Sequence, residues 1–152
     1  FRVDVTITAL DPYGGKAIAN QAREAIKKGQ RTLLSSMGPI ESLTARDVTA
    51  AARKGDLVSQ KIIASAGHYL GIAIAGLVNL FNPQTVIVGG GVAQVGDLLL
   101  QPIRDTVSQR SLKASARTVK INTAVLRRRS SGMGAIVQAL SIALHQVANE
   151  RR

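Results

Sequence analysis

The sequence predicts an α/β domain, a small and mostly parallel sheet flanked by helices. Three observations carry this. Thr85-Val86-Ile87-Val88 is a short continuous apolar run, the pattern of a parallel strand buried on both faces. Segments with helical and strand periodicity follow one another as strand, three helices, strand, helix, strand, helix, which requires crossover helices between parallel strands. The 152 residues, 45% of them hydrophobic, are about one domain's worth and enough for a core of their own.

Each element has a local reason. Arg2 to Ala9 alternates, with Val3, Val5, Ile7 and Ala9 on one side, which is the period of a half-buried strand. Asp11-Pro12-Tyr13-Gly14-Gly15 is a turn. Lys16 to Lys28 is a helix with Ile18, Ala22, Ala25 and Ile26 on one face, stopped by Gly29. Arg31 to Ser42 is polar and broken by Gly38-Pro39, a loop with room for a helical turn. Thr44 caps a helix running to Lys54, and Asp47 three residues on completes a capping box with Asp in place of Glu. Gly55 ends that helix, and Asp56 caps a long one from Leu57 to Asn82 that Pro83 terminates.

Within that helix, Ile62 to Phe81 is 20 residues without formal charge, long enough to cross a bilayer. It has no second span beside it, and Gly67, Gly71 and Gly76 suit close helix packing, so it reads as a core helix with no membrane partner. After the strand Thr85 to Val88 and three glycines, Val92 to Arg110 is mostly helical. Leu98, Leu99 and Ile103 are core candidates there, and Pro102 marks a break or restart. Val119 to Leu126 is a further strand, Arg127 to Ser131 a basic loop, and Gly132 to Val147 a last helix striped by Ile136, Val137, Leu140, Ala143 and Leu144.

Composition excludes several chemistries. With no cysteine there are no disulfides, thiolate nucleophiles or Cys-based zinc sites. Aromatics at 3% leave no stacking platform for single-stranded nucleic acid. The net charge is +11, and Val107 to Arg152 holds nine Lys or Arg against Glu150 alone, so +8 of it sits in the last third. That field would attract nucleotide phosphates, nucleic acid or an acidic partner, nucleic acid on charge alone, but its simplest reading is a solvated basic face. His68 reads as a core or interface histidine with one neighbour, and His145 suits the end of the last helix. No Ser/His/Asp set is suggested. The chain opens in mid-strand at Phe1-Arg2-Val3-Asp4, without a secretory pattern, and so reads as a fragment of a cytoplasmic protein.

The segment with chemical content is Val88-Gly89-Gly90-Gly91-Val92. A buried strand runs into three glycines and then a helix, so main chain can take positive φ and a ligand can approach it closely. In open α/β sheets ligands sit at the carboxyl ends of strands, where this loop lies. The run is neither a P-loop nor a dinucleotide fingerprint.

Three motifs in order, Ala66-Gly67-His68-Tyr69-Leu70-Gly71, Asn79-Leu80-Phe81-Asn82-Pro83 and Val86-Ile87-Val88-Gly89-Gly90-Gly91, resemble the ROK family of bacterial sugar kinases and repressors. The likeness runs from about Gly14 to Leu144, with Phe1 to Tyr13 matching poorly. It implies the C-terminal lobe of an actin-like ATPase (ribonuclease H-like) fold. It also implies that Gly89, Gly90, Gly91 and Val92 line the adenosine and phosphate pocket, with ATP and Mg²⁺ as cofactors of the intact parent. The family's zinc cysteines and sugar-contacting Glu should precede Gly14. Val3 to Asp11 has no Cys, and Leu10 falls where the Glu would stand, so no zinc is expected. The family's acidic last loop is replaced by Arg127-Arg128-Arg129.

The first phosphate loop and the catalytic Asp would precede Phe1. The resemblance therefore implies the nucleotide-side lobe of a sugar kinase-like protein, with no catalytic residue and no metal ligand of its own. The alternatives are an effector-binding and dimerisation module of a ROK regulator, or a purely structural assembly lobe. A sugar or sugar-derived effector would bind through the N-terminal half, DNA only through a segment outside this chain, and the protein would form a homo-oligomer.

Overall fold

The computed structural model describes residues 14–124 and 138–140. The strand read at Arg2 to Ala9, the loop Arg127 to Ser131 and most of the last helix lie outside the described residues. Residues 138–140 are helical, and Leu140, expected in the apolar stripe, is 62% exposed.

Helix α1 (Gly15–Lys27) buries Ile18, Ala19, Ala22 and Ala25, one face at helical spacing. Gly29 follows at φ +72°, a left-handed position that suits glycine. The loop after it forms two 3₁₀ turns, Leu33–Ser36 and Ile40–Ser42, where the sequence promised room for one. Arg23 of α1 fastens the second turn. Its Nε donates to the Ile40 carbonyl at 3.2 Å, and Nη2 donates to the carbonyls of Glu41 and Leu43 at 3.1 and 2.8 Å.

Helix α2 (Ala45–Arg53) starts as expected. The Asp47 carboxylate accepts from the Thr44 N–H and hydroxyl at 2.8 and 2.7 Å. The hydroxyl and then the N–H of Thr44 hold that carboxyl below its ordinary pKa.

Helix α3 (Leu57–Phe81) is capped by Asp56, which does two jobs. Its Oδ2 accepts from the Ser59 N–H at 2.9 Å and from the hydroxyls of Ser59 and Thr32 at 2.5 and 2.8 Å. Its Oδ1 accepts from the Leu33 N–H at 2.9 Å. One buried carboxylate thus starts a helix and anchors the first 3₁₀ turn. Among the described residues α3 is the one helix long and apolar enough to cross a membrane, and 44% of its most apolar stretch is buried in the lobe. Asn82, at φ 44° and ψ 50°, ends it before Pro83.

Among the described residues the seam between α3 and α4 (Asp97–Arg110) is the most extensive helix contact. Gly67 and Gly71 let the backbones close, and Leu99, Ile103 and Val107 fill the seam from the α4 side. Leu98, expected in the core, is half-buried at its edge. Pro102 does not break α4. It sits in the second turn, where one backbone bond is lost, and packs over Gly67. Asn79 clamps the far end, accepting from the Leu112 N–H at 2.9 Å and donating to the Arg110 carbonyl at 3.3 Å. Helix α5 (Lys113–Thr118), a single turn and a half, was not foreseen.

Strand β1 (Thr85–Val88) pairs in parallel with β2 (Lys120–Thr123), Thr85 opposite Lys120 and Val88 opposite Thr123. Helix α4 lies in the crossover between them, as expected. Val86 and Val88 are buried while Thr85 and Ile87 are half-covered, so β1 is sealed on one face rather than on both. The core between the sheet and the helices is built from Ile18, Leu34, Leu43, Ile63, Ile74, Leu99 and Ile103.

Candidate functional site

Because β1 and β2 are parallel, their carboxyl ends lie at the same edge of the sheet, and the Gly89–Gly91 loop leaves from there. The loop is open. Gly90 and Gly91 are exposed, and a Cβ added to either would meet nothing within 4 Å. A Cβ on Gly89 would meet the Ala124 Cβ at 3.9 Å, an ordinary contact. Gly90 sits at φ +103°, a conformation that side-chain-bearing residues rarely take.

One expectation fails here. The loop does not run directly into an α-helix. A four-residue 3₁₀ turn, Val92–Val95, and Gly96 at φ +72° come between, so the N-terminus of α4 is displaced from the glycines. Any anion at the loop must be held by other groups.

Two cavities flank the loop. The larger, about 790 Å³, lies between the start of α1 (Gly15, Lys16), the start of α2 (Ala45, Arg46) and Gly91 with Val92. Ala19, Leu43 and Ala45 give it apolar walls. The second, about 510 Å³, is bounded by Arg46, Thr49, Arg53, Gly90, Gly91 and Gln94. Arg46, Thr49 and Gly91 line both, so the two spaces adjoin. Among the described residues Gly89 lines a hollow of about 70 Å³ beside Thr123 and Ala124. Of the four residues singled out from sequence, Gly90, Gly91 and Val92 therefore line the larger spaces and Gly89 does not.

The residues sequence reasoning missed are Arg46, Thr49 and Arg53. Their spacing of three and four was a legible signal, because it places all three on one face of α2. Among the described residues no Asp or Glu lines either cavity, while Lys16, Arg23, Arg46 and Arg53 do. Arg23 is spent on the carbonyls of the 3₁₀ turn. The Arg53 guanidinium donates to the Gln94 carbonyl.

Such a pocket can take a ligand with a flat apolar part and an anionic part. No group of three His, Asp or Glu able to hold a metal occurs among the described residues. His68 lies outside this region. It is exposed rather than in the core, and its Nδ1 is 3.0 Å from the Thr106 hydroxyl.

Comparison with known proteins decides the family. Residues 13–142 match the model of the ROK family. The chain belongs to the ROK family. It is 29% identical over 126 residues to a xylose repressor of Caldicellulosiruptor bescii, covering 83% of this chain and 32% of that protein. It is 38% identical over 84 residues to a glucokinase of Halalkalibacterium halodurans, covering 55% of this chain and 26% of that protein. Among solved structures, a ROK glucokinase of Streptomyces griseus in complex with glucose and AMPPNP superposes with a TM-score of 0.66 at 26% identity, over 84% of this chain and 46% of that one.

The chain thus spans about a third or less of the curated relatives, and ROK relatives include both sugar kinases and repressors. The fold is the actin-like ATPase fold of ROK sugar kinases, here with a two-stranded parallel sheet among the described residues. The stretch Val3 to Asp11, where ROK zinc and sugar residues would fall, and Arg127 to Arg129 lie outside the described residues.

Proposed function

We propose that this chain is the nucleotide-side lobe of a cytoplasmic, oligomeric ROK protein, with its adenine nucleotide at the Gly89–Gly91 loop and Val92. The observation that carries this reading is the unobstructed glycine loop at the carboxyl edge of the sheet, beside two adjoining cavities. An open loop favours a ligand-binding lobe over a purely structural one. The apolar walls Ala19, Leu43, Ala45 and Val92 suit an adenosine, and the cationic rim suits its phosphates. ATP would supply the transferable phosphoryl group in the intact parent. Mg²⁺ would be held by the phosphates and by the other half of the protein, since the described residues offer it no cluster.

The lobe is not catalytic by itself. Transfer to a sugar hydroxyl needs a general base, and among the described residues the side chains lining the two cavities are Lys, Arg, Asn, Gln, Thr and aliphatic ones. The test is calorimetric titration of the full chain with an ATP analogue, alongside a glucose phosphorylation assay. Measurable binding with no turnover is expected. Absence of binding overturns the pocket, and turnover above blank overturns the non-catalytic assignment.

A regulator is the second reading. The alignment to the xylose repressor extends over more of this chain than that to the glucokinase. Leu10 in place of a sugar-contacting Glu also favours a non-catalytic member. The sequence upstream of Phe1 separates the two: a winged-helix segment supports the regulator, and a D-x-G-x-T start without one supports the kinase.

A further inference from the structure

We propose that Arg46 and Arg53 form an anion subsite beside the Gly90–Gly91 loop, one that takes the phosphate groups of a nucleotide whose ring occupies the larger cavity. The two residues stand seven apart on α2, so nearly two helical turns bring them to the same face, with Thr49 between. Both line the 510 Å³ cavity with the main chain of Gly90 and Gly91. Neither has an ion pair among the described residues, in contrast to Arg104, whose Nη1 lies 2.9 Å from Asp97 Oδ1.

Arg53 is held in place without being used up. One N–H group goes to the Gln94 carbonyl, and a guanidinium carries five. Fixing the fork beforehand reduces the entropy lost when it grips an anion. Arg46 stands at the junction of the two cavities, with Thr49 and Gly91. A ligand crossing that junction passes main chain that has no side chain in the way.

The polarity of the two spaces sets the ligand's direction. Ala19, Leu43, Ala45 and Val92 wall the larger one, which suits the ring. The charged end then falls to Arg46 and Arg53. The identity of the ring rests on the nucleotide reading above, whereas the anion subsite is tested by itself.

The experiment is isothermal titration of the full chain with ADP, adenosine and inorganic tripolyphosphate, repeated on Arg46→Gln, Arg53→Gln and the double variant. Wild type should bind ADP about tenfold or more tighter than adenosine, the gain expected of one or two charge-assisted contacts. The double variant should erase that ratio and lose tripolyphosphate. Among the described residues Arg46 makes no side-chain hydrogen bond or ion pair, so Arg46→Gln should leave the melting temperature near that of wild type while it lowers the ratio. A ratio unchanged in both single variants overturns the subsite, as does wild type that ignores both ADP and tripolyphosphate. If tripolyphosphate binding depends on the arginines while adenosine does not bind at all, the subsite stands and the nucleotide reading fails.

Discussion

A Cβ on Gly71 would lie 2.6 Å from the Cβ of Thr106, nearer than two such carbons come in folded proteins. One turn earlier, a Cβ on Gly67 would lie 2.7 Å from the Leu99 carbonyl oxygen. The α3–α4 seam is therefore set by two missing methyl groups. Thr106 then ties it across. Its hydroxyl donates to the Pro102 carbonyl at 2.7 Å, so the same oxygen is left to accept from His68 Nδ1 at 3.0 Å. That assigns the His68 proton to Nδ1.

Gly67→Ala and Gly71→Ala should each destabilise the lobe by about 1–3 kcal/mol, the usual cost of overpacking. The obstacles are a backbone oxygen and a Cβ fixed to its own backbone, and neither can rotate aside. Gly76→Ala is the control on the same helix. Its Cβ meets nothing within 4 Å, so the better helix former should stabilise by up to about 1 kcal/mol. Thermal melts of the three variants check this. Gly71→Ala melting with wild type would refute the packing described for the seam.

The seam also shows how far the sequence could be read. The glycines of α3, the box at Thr44 and Asp47, the cap at Asp56 and the stop at Pro83 are local chemistry, and each was legible. What escaped was decided by partners distant in sequence. Pro102 looked like a break because nothing local shows that Gly67 makes room for its ring. His68 read as a core or interface residue because its apolar neighbours do not reveal which face of α3 meets α4; it is exposed, with Thr106 as its neighbour across the seam. The glycine loop was found from its strand, yet Arg53 could be tied to it only once Gln94 was placed beside α2.

Gly91→Ala isolates the claim that a ligand approaches the loop main chain. Gly91 has φ −64° and ψ −39°, which alanine adopts freely, and its Cβ would meet nothing within 4 Å. Stability should change by less than about 0.5 kcal/mol. Nucleotide affinity should nonetheless fall about tenfold, because the methyl occupies the space the ligand needs. Gly90→Val should lose binding altogether, though there strain at φ +103° adds to obstruction. Titration of both variants decides it. Full affinity in Gly91→Ala would place the nucleotide elsewhere.

Arg23→Ala should loosen the outer wall of the larger cavity. The guanidinium holds the carbonyls of Ile40, Glu41 and Leu43, and the next residue is the Thr44 cap. Losing charge-assisted bonds to several carbonyls should cost about 1.5–3 kcal/mol. Arg23→Lys should recover only part, since one ammonium cannot reproduce the planar fork. Amide exchange around Ile40 to Leu43 is the direct measurement, and protection unchanged in Arg23→Ala would mean the tether is dispensable.

Asp56 should make the lobe sensitive to acid. Burial pushes its carboxyl pKa up, but hydrogen bonds from the Ser59 hydroxyl, the N–H groups of Leu33 and Ser59, and the Thr32 hydroxyl outweigh this and leave it below the ordinary 3.8. A folded pKa below the unfolded one means that folding prefers the ionised form. The stabilisation is complete above about pH 5 and is lost as pH falls through the unfolded and then the lowered folded value. Asp47, lowered first by the Thr44 hydroxyl, acts in the same direction, so the two must be separated. Asp56→Asn should be less stable than wild type at pH 7 by about 1–2 kcal/mol, because its amide turns donors toward donors. Below about pH 4 its urea midpoint should change less with pH than that of wild type, and the Asp47→Asn variant should keep most of the wild-type slope. Equal slopes in wild type and Asp56→Asn would show that the carboxylate joining Thr32, Leu33 and Ser59 does not control the acid limit of this lobe.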